Sequence, residues 1–416
     1  LFTLNQTESP AMPKRILFLT PQLPYPPHQG TTLRTYGLID GLAARGHRIA
    51  LLAFREPGQP APEDTPLANL CDPLLTIPAP TRTRARRLVD LLAGHADMGR
   101  RLWSPPYLAA LRDLLAAERF DVIHFEAIEM TAYLHPIRDA TGGAALIYDA
   151  HNAEHALQAR AARQDARIPR RWPLAIYSAV QARRLRRFES AACRAVDRVI
   201  AVSEADAAKL RALGHATPIG VIPNAIRAAD YAGGGAAADV PHPALVFTGK
   251  MDFRPNVDAA LWFADDILPR IRAERPAAHF VIAGQKPHAR LDGLRDRPGV
   301  TLTGWVPDIQ PYIEAADVYV APLRMGSGTR LKILEAMAMG RAVVTTTVGA
   351  EGIAARDGEH LLLADSAEAF AEAVGALLAD DARRAALGEA AAALVRAHYD
   401  WGAIIPRLEV MYDREG

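Results

Sequence analysis

The chain has 416 residues, with 48 Lys+Arg against 47 Asp+Glu, for a net charge of +1. At roughly 150 residues per domain that length predicts two or three domains. Half of the residues are hydrophobic and 23% are charged, so there is enough apolar surface to offset chain entropy, and disorder as the main state is excluded.

Residues 1–12 are polar and irregular and read as a disordered tail. Arg15 to Thr20 is a short apolar run that reads as a buried parallel strand. After the loop PQLPYPPHQG, Thr31 to Arg45 has helical periodicity through Leu33, Tyr36, Leu38, Ile39 and Leu42, and Gly46 stops it. Arg48 to Phe54 reads as a second strand. Leu108 to Glu118 reads as a helix, and Val122 to Phe125 and Ala145 to Tyr148 as strands. A long helix is expected from Pro173 to Ala195, then a strand Arg198 to Val202. Ser203, with Asp206 three residues on, opens a helix in the manner of a capping box. Ile219 to Ile222 is again a strand.

The pattern pauses at Pro223, where the domain boundary is placed. Strands are then expected at Ala244–Thr248, Phe280–Ala283, Val300–Thr303, Val318–Ala321 and Ala342–Thr346. Helices are expected at Asn256–Glu274, Leu331–Met339, about 366–378 and 381–397, and 401–412. Strands alternating with helices imply parallel sheets with right-handed crossovers. The fold class is therefore α/β: two doubly wound, Rossmann-like domains, residues 13–223 and 224–400. A C-terminal helix, 401–416, is expected to return to the first domain. Ligands of such sheets bind outside the carboxyl ends of the strands, so a shared cleft is expected.

The balanced charge hides a split. To Asn224 the chain holds 28 basic and 21 acidic residues, and the remainder 20 and 26. RTRARR at 82–87, RIPRRW at 167–172 and RRLRR at 183–187 make the first part basic. A surface that meets anions follows. An anionic membrane face for segment 167–187 and a merely solvated face are both open readings. Nucleic acid is not expected, because no aromatics interleave the basic clusters. Cys71 and Cys193 are far apart, which excludes a disulfide framework or cysteine-based zinc site and fits a reducing compartment. No apolar run is long enough to span a bilayer and no secretory leader opens the chain. A cytoplasmic protein, with peripheral attachment to the membrane as an option, is expected.

The stretch APLRMGSGTRLKILEAMAMGRAVV, residues 321–344, carries the most chemistry. Gly326 and Gly328 permit a tight turn and close approach of a ligand. The amides of Gly328, Thr329 and Arg330 would sit at a helix N-terminus, where partial positive charge favours a phosphate. Arg330 and Lys332 add full charges at the same end. Such cations are unfavourable for the helix itself, so an anion should offset them, and a diphosphate fits. A solvated basic loop is the bland alternative. Glu335 follows among apolar neighbours and should face a polar cleft, because an unpaired buried carboxylate is costly. It is placed to accept hydrogen bonds from a ribose diol.

LEAMAMGRAVV resembles the signature of the family-4 retaining glycosyltransferases of the GT-B fold. PPHQG with the helix ending ARGHRI, CRAVDRVIAVSE, VIPNAI, ALVFTGKMDFRPNVDAALWF and VTLTGWVPDIQPYIEAADVYVAPL resemble further pieces of that family, in the family's order. PNVDA and GSGTRLK resemble the branch found in exopolysaccharide gene clusters. The resemblance implies a hexosyltransferase that takes a nucleotide-diphosphate sugar as donor and a glycan or lipid-linked acceptor, with retention and without a metal or other cofactor.

By the same resemblance, Glu335 matches the second glutamate of the E-x7-E motif, which holds the ribose. The first glutamate falls on Ser327, a departure that leaves the sugar contact to the amides of Ser327 and Gly328. Lys250 matches an arginine on the diphosphate. The second phosphate cation falls near Asn256, so Arg254, or Arg330 and Lys332, are expected to replace it. Gly30 matches the N-terminal glycine loop, and Val306 the backbone contact to the base. Thr329 completes the donor set.

On the acceptor side, His124, Glu126, Asp149, His151, Asn152 and Glu154 end two strands and are candidates for the cleft. In many relatives a histidine faces the sugar near the first of these strands, where this chain has Glu126. His151 is singled out, with Glu126, Lys250 and Glu335, as catalytic. A structural histidine is the plain alternative. His151 and His155, read at i, i+4 on one helix face, would offer a metal pair, but HNAEH lacks the second-position glutamate of H-E-x-x-H. Two rivals remain: a nucleotide-sugar epimerase, which needs acid–base carboxylates and no acceptor, and a non-catalytic nucleotide-sugar-binding protein, motivated by Ser327.

Overall fold

Strand β1, Arg15–Thr20, is apolar from Ile16 to Leu19 because both faces of its sheet are covered. In the computed structural model, which describes residues 12–27, 30–326 and 328–413, the chain divides into two compact units. One runs to Pro223 and resumes at Ile404; the other is Asn224–Ala403. The expected tail at 1–11 and Ser327 lie outside the described residues.

The first unit holds β1, β2 (Arg48–Arg55), β3 (Cys71–Pro78), β4 (Val122–Glu126), β5 (Ala145–Ala150), β6 (Arg198–Ala201) and β7 (Ile219–Val221). They form one parallel sheet in the order β3-β2-β1-β4-β5-β6-β7. The order reverses between β1 and β4, which makes the carboxyl ends of those strands the ligand crevice of such a sheet. The edge strand β3 was not expected. Its sequence, CDPLLTIP, carries prolines that argue against an interior strand, and an edge tolerates them. Helix α1, Gly30–Ala44, follows the loop after β1. Helices α2 (Glu154–Ala166) and α3 (Trp172–Arg194) pack along each other between β5 and β6. Ser203 does cap the next helix: its hydroxyl accepts from the Asp206 amide.

The second unit holds β8 (Ala244–Thr248), β9 (His279–Ala283), β10 (Val300–Gly304), β11 (Val318–Ala321), β12 (Val343–Thr345) and β13 (Leu362–Leu363). This sheet is also parallel, in the order β10-β9-β8-β11-β12-β13, and reverses between β8 and β11. The expected helix 256–274 is α4, Arg254–Trp262, then a π-helical turn at Phe263–Ile267 and a helix at Leu268–Glu274. Pro269 cannot donate to the α ladder, and a wider turn absorbs the lost bond. Helix α5, Leu331–Ala338, packs against α6, Asp381–His398.

Helix α7, Trp401–Tyr412, ends the chain. From Ile404 on it belongs to the first unit. Glu409 is buried and accepts from Arg45 Nε at 2.6 Å and Nη2 at 2.8 Å, and its Oε1 lies 2.9 Å from His47 Nε2. Burial alone would raise this carboxyl, but the bonds from Arg45 and His47 hold it below the ordinary glutamate range. Tyr412 reaches His124 Nδ1 at 2.8 Å, and Arg407 donates to the Val221 carbonyl at 2.9 Å.

Gly388 allows α6 to approach the turn that ends α5: a Cβ there would overlap the Gly340 carbonyl oxygen. Gly388→Ala is therefore expected to lower stability by about 1–3 kcal/mol through overpacking, read as a fall in Tm. An unchanged Tm would contradict this close approach.

Candidate functional site

In the second unit the reversal point of the sheet is marked by Thr248 and Ala321, the last residues of β8 and β11. Thr248 Oγ1 and Tyr319 Oη, 2.7 Å apart, tie the two strands together. Lys332, in the first turn of α5, reaches this point. Its ammonium donates to the Thr248 carbonyl at 2.6 Å and to Asn256 Oδ1 at 2.8 Å, and lies 4.5 Å from the centroid of the buried Phe247 ring. Asn256 is fixed in turn by donating to the Lys250 carbonyl at 2.9 Å. Gly249 has φ +146°, and a Cβ there would overlap the Lys332 ammonium and stand 2.9 Å from Asn256 Nδ2. Only glycine satisfies both demands.

Burial pushes the Lys332 ammonium down to about 7; the nearby Glu335 carboxylate opposes this and Arg330 adds to it. Glu335, one helical turn on, accepts from Tyr231 Oη at 3.4 Å. Burial raises its carboxyl, against the opposing pull of Lys332 and Tyr231. The ammonium is lowered and the carboxyl raised within one turn because burial outweighs the attraction between them.

The other expected donor residues gather around the same strand ends. Arg330 caps the N-terminus of α5 through its backbone position, and its guanidinium lies 2.7 Å from where a Gly326 Cβ would stand. Thr329 is buried, and among the described residues its hydroxyl has no hydrogen-bond partner. Lys250 is exposed in the loop after β8, 3.7 Å from Asp252. Arg254 is exposed at the start of α4, and Val306 is half-buried after β10. Of the cations proposed to replace the one missing at Asn256, it is Lys332 that reaches Asn256. Sequence reasoning missed Tyr231; nothing in its irregular, Ala- and Gly-rich surroundings signals the hydroxyl that meets Glu335.

In the first unit the strand ends of β4 and β5 carry a buried network. Arg34, from α1, holds Asp149 with both arms: Nε to Oδ2 at 3.0 Å, and Nη2 to Oδ1 at 3.0 Å and to Oδ2 at 2.8 Å. Its third nitrogen donates to the carbonyls of Ile222 and Pro223. His124 Nε2 lies 3.4 Å from Asp149 Oδ2 and 3.6 Å from Glu126 Oε1, ion-pair contacts that leave it without a hydrogen bond among the described residues. Glu126 Oε2 pairs with His151 Nε2. The Glu126 carboxyl is fully buried, which by itself would raise it, but His151 and His124 hold it well below the usual range. Burial would lower both histidines; the carboxylates win and raise them, Glu126 and Asp149 at His151, Asp149 and Glu126 at His124.

The expected helical pair His151 and His155 is not one. Helix α2 begins at Glu154, leaving His151 in the loop before it, and His155 turns to Glu189, 2.5 Å away. The chain straightens here because β5 runs on to Ala150, two residues further than expected. Asn152 donates to Glu154 at 3.1 Å, and burial pushes the Glu154 carboxyl up to about 7. Ligand atoms of His124, Glu126 and Asp149 lie within 4.8 Å of one another. Arg34 already neutralises Asp149 and His151 already pairs with Glu126, so a cation there would compete with two positive groups. Arg34 and Tyr412 were not singled out from the sequence. The signal for Arg34 is weak: it stands four residues before the apolar Leu38, on the face that becomes buried.

The chain matches the family description "Glycosyltransferase Family 4" over residues 29–230 and "Glycosyl transferases group 1" over residues 242–380. It belongs to this family of glycosyltransferases, with the GT-B arrangement of two Rossmann-like units. The phosphatidyl-myo-inositol mannosyltransferase of Mycobacterium tuberculosis is 30% identical over 207 residues, 46% of this chain and 53% of that one. The chain spans about a third to just over half the length of the curated relatives it matches first. Among solved structures, sucrose-phosphate synthase from Thermosynechococcus elongatus has a TM-score of 0.69 at 20% identity, covering 96% of this chain and 98% of its own. Anabaena HepE in complex with UDP and glucose has a TM-score of 0.63 at 16% identity, covering 96% and 99%.

The network of the first unit makes a pH prediction. The raised histidines contribute stability that is complete below their unfolded pKa and is lost as pH rises through the folded values, above 6.5. The depressed Glu126 contributes stability that is lost only as pH falls through its low folded value. Glu126→Gln is expected to move the His151 titration, followed by NMR, down toward or below 6.5 and to flatten the stability loss on the alkaline side. A His151 midpoint unchanged in the variant would refute the pairing.

Proposed function

We propose that the protein is a glycosyltransferase that moves a hexose from a nucleoside-diphosphate sugar to a glycan or lipid-linked acceptor, with retention at the anomeric carbon. The observation that carries this is the Lys332 ammonium, held by Asn256 and the Thr248 carbonyl at the reversal point of the second sheet. Beside it stand the start of α5, the buried, unpartnered hydroxyl of Thr329, and the Glu335 carboxylate. A diphosphate against Lys332 and the amides of Thr329 and Arg330, with its ribose hydroxyls on Glu335, satisfies each group. HepE, of the same fold, is described with UDP and glucose bound.

In this reading the second unit binds the donor and the first binds the acceptor. Charge develops on the diphosphate as the sugar leaves, and Lys332, Arg330, Lys250 and the helix start stabilise it electrostatically, so no metal ion is required. The Lys332 ammonium, pushed down to about 7 by burial, is favoured in its charged form by a diphosphate lying against it. No side chain is assigned as nucleophile: the leaving phosphate takes the acceptor proton. His151, with Glu126 behind it, orients the acceptor or the sugar. The resemblance of PNVDA and GSGTRLK to the exopolysaccharide-cluster branch favours polysaccharide synthesis at the cytoplasmic side of the membrane as its setting. No described helix is long and apolar enough to cross a membrane.

Thermal stabilisation by a panel of UDP-, GDP-, ADP- and dTDP-sugars tests the donor site, because a ligand that binds only the native state raises the midpoint by mass action. One nucleotide class is expected to stabilise the wild type, with the shift reduced in Lys332→Met and abolished in Glu335→Ala. If none of the four stabilises the folded protein, the nucleotide-sugar reading fails.

A further inference from the structure

Helix α3 presents one long exposed face of two chemistries. Residues 172, 175, 176, 179, 183, 186, 187, 190 and 194 repeat the i, i+3, i+4 spacing and so lie on one side of the helix, exposed except at Ala175 and Ser190. At the N-terminal end this side is apolar. Trp172, Ala175, Ile176 and Ala179 line a groove of about 530 Å³ with Ala162, Arg163 and Ala166 of α2. Trp172 and Ile176 are 57% and 66% exposed, and Leu174 and Ile168 nearby are also exposed. The Trp172 indole nitrogen donates to the Ala166 carbonyl, so its ring has an apolar body outward and a satisfied polar edge.

At the C-terminal end the same side is cationic. Arg183, Arg186, Arg187 and Arg194, with Ser190, line a hollow of about 650 Å³. Arg183, Arg186 and Arg187 make no ion pair among the described residues. Between Arg163 and Arg194 the sequence has nine arginines and two acids, Asp165 and Glu189. Asp165 is paired with Arg171, and Glu189 is buried against His155. The surface is therefore left with unneutralised positive charge beside unpartnered apolar side chains. From Ile176 to Arg187 the helix rises roughly 16 Å.

We propose that this face of α3, with the end of α2, docks on an anionic lipid bilayer. Trp172 and Ile176 enter the boundary between headgroups and acyl chains, and Arg183, Arg186 and Arg187 bind lipid phosphates. Aliphatic side chains next to tryptophan and a row of arginines are the composition of an interfacial helix. Charge complementarity selects this occupant. A second copy of the chain would set each arginine row against the other's arginines or its apolar end, and neither supplies the acids to neutralise it. A nucleic acid would match the arginines but leave Trp172 and Ile176 without an apolar partner. The inference deepens the glycosyltransferase reading by choosing the lipid-linked acceptor, yet vesicle binding can be measured whether or not that reading holds.

The test is flotation of the full chain with vesicles of phosphatidylcholine alone or mixed with phosphatidylglycerol. Binding is expected only to the mixed vesicles and should weaken with added salt, since exposed charges are screened. Arg183→Ser, Arg186→Ser and Arg187→Ser should each weaken it by about fivefold, the weight of one basic residue at an anionic surface. The double variant Trp172→Ser, Ile176→Ser should lose it while Tm and the donor-induced thermal shift stay as in the wild type. Quenching of tryptophan fluorescence by brominated lipid should fall in Trp172→Phe with flotation retained. Absence of wild-type flotation with phosphatidylglycerol vesicles overturns the proposal. So does undiminished flotation of the triple arginine variant, or burial of Trp172 in a stable dimer or nucleic-acid complex. A normal donor shift alongside any of these leaves the glycosyltransferase reading standing on its own.

Discussion

An ammonium group placed at the end of a β-strand, where it meets a carbonyl, an amide oxygen and an aromatic face, is the arrangement on which the candidate donor site depends. Lys332 is brought there by the first turn of α5, and Thr248, Asn256 and Phe247 receive it. Gly249 is the price of this approach, since any side chain there would displace the charge. Burial lowers the affinity of Lys332 for its own proton; Glu335 opposes this and Arg330 adds to it. In the proposed reading an incoming diphosphate would offset that penalty and favour the charged lysine, so the same group would serve both donor binding and the departing charge.

The first unit uses the corresponding place in its sheet differently. There the strand ends carry carboxylates, and the cations come to them: Arg34 from α1 to Asp149, and His151 from the following loop to Glu126. Removing one partner of such a buried pair strands the other, at a cost of about 3–5 kcal/mol. The network therefore fixes the strand ends and His151 firmly. Helix α7 adds to it through Tyr412 on His124, so the chain's last helix is part of the support of these residues.

Much of the architecture was legible because parallel strands buried on both faces are unbroken apolar runs, as in Ile16–Leu19 and Leu245–Phe247. The misses have physical causes. Strand β3 hides behind Pro73 and Pro78, which only an edge position tolerates. The π-helical turn at Phe263–Ile267 reads as ordinary helix, because its side-chain periodicity is only locally altered. At the site, Lys332, Arg330, Thr329 and Glu335 were legible from the glycine turn and helix start that carry them. That Lys332 is the cation in contact with Asn256 was not, since it depends on an amide oxygen aimed by a bond from Asn256 to a backbone carbonyl. His151 and His155 looked like a pair because spacing alone does not say where a helix begins. Arg34 was silent: a buried arginine is paired by a residue 115 positions away, and no local pattern encodes that.

The account's central claim is that Lys332 is the cation that meets the donor's diphosphate. Its side-chain nitrogen can be followed by NMR as pH is varied, with and without the nucleoside diphosphate of whichever class stabilises the protein. The account predicts a midpoint near about 7 in the free protein and a clear rise with the nucleotide bound, as the phosphate charge favours the protonated form. A midpoint that does not move while the nucleotide is demonstrably bound would place the diphosphate elsewhere and contradict the assignment.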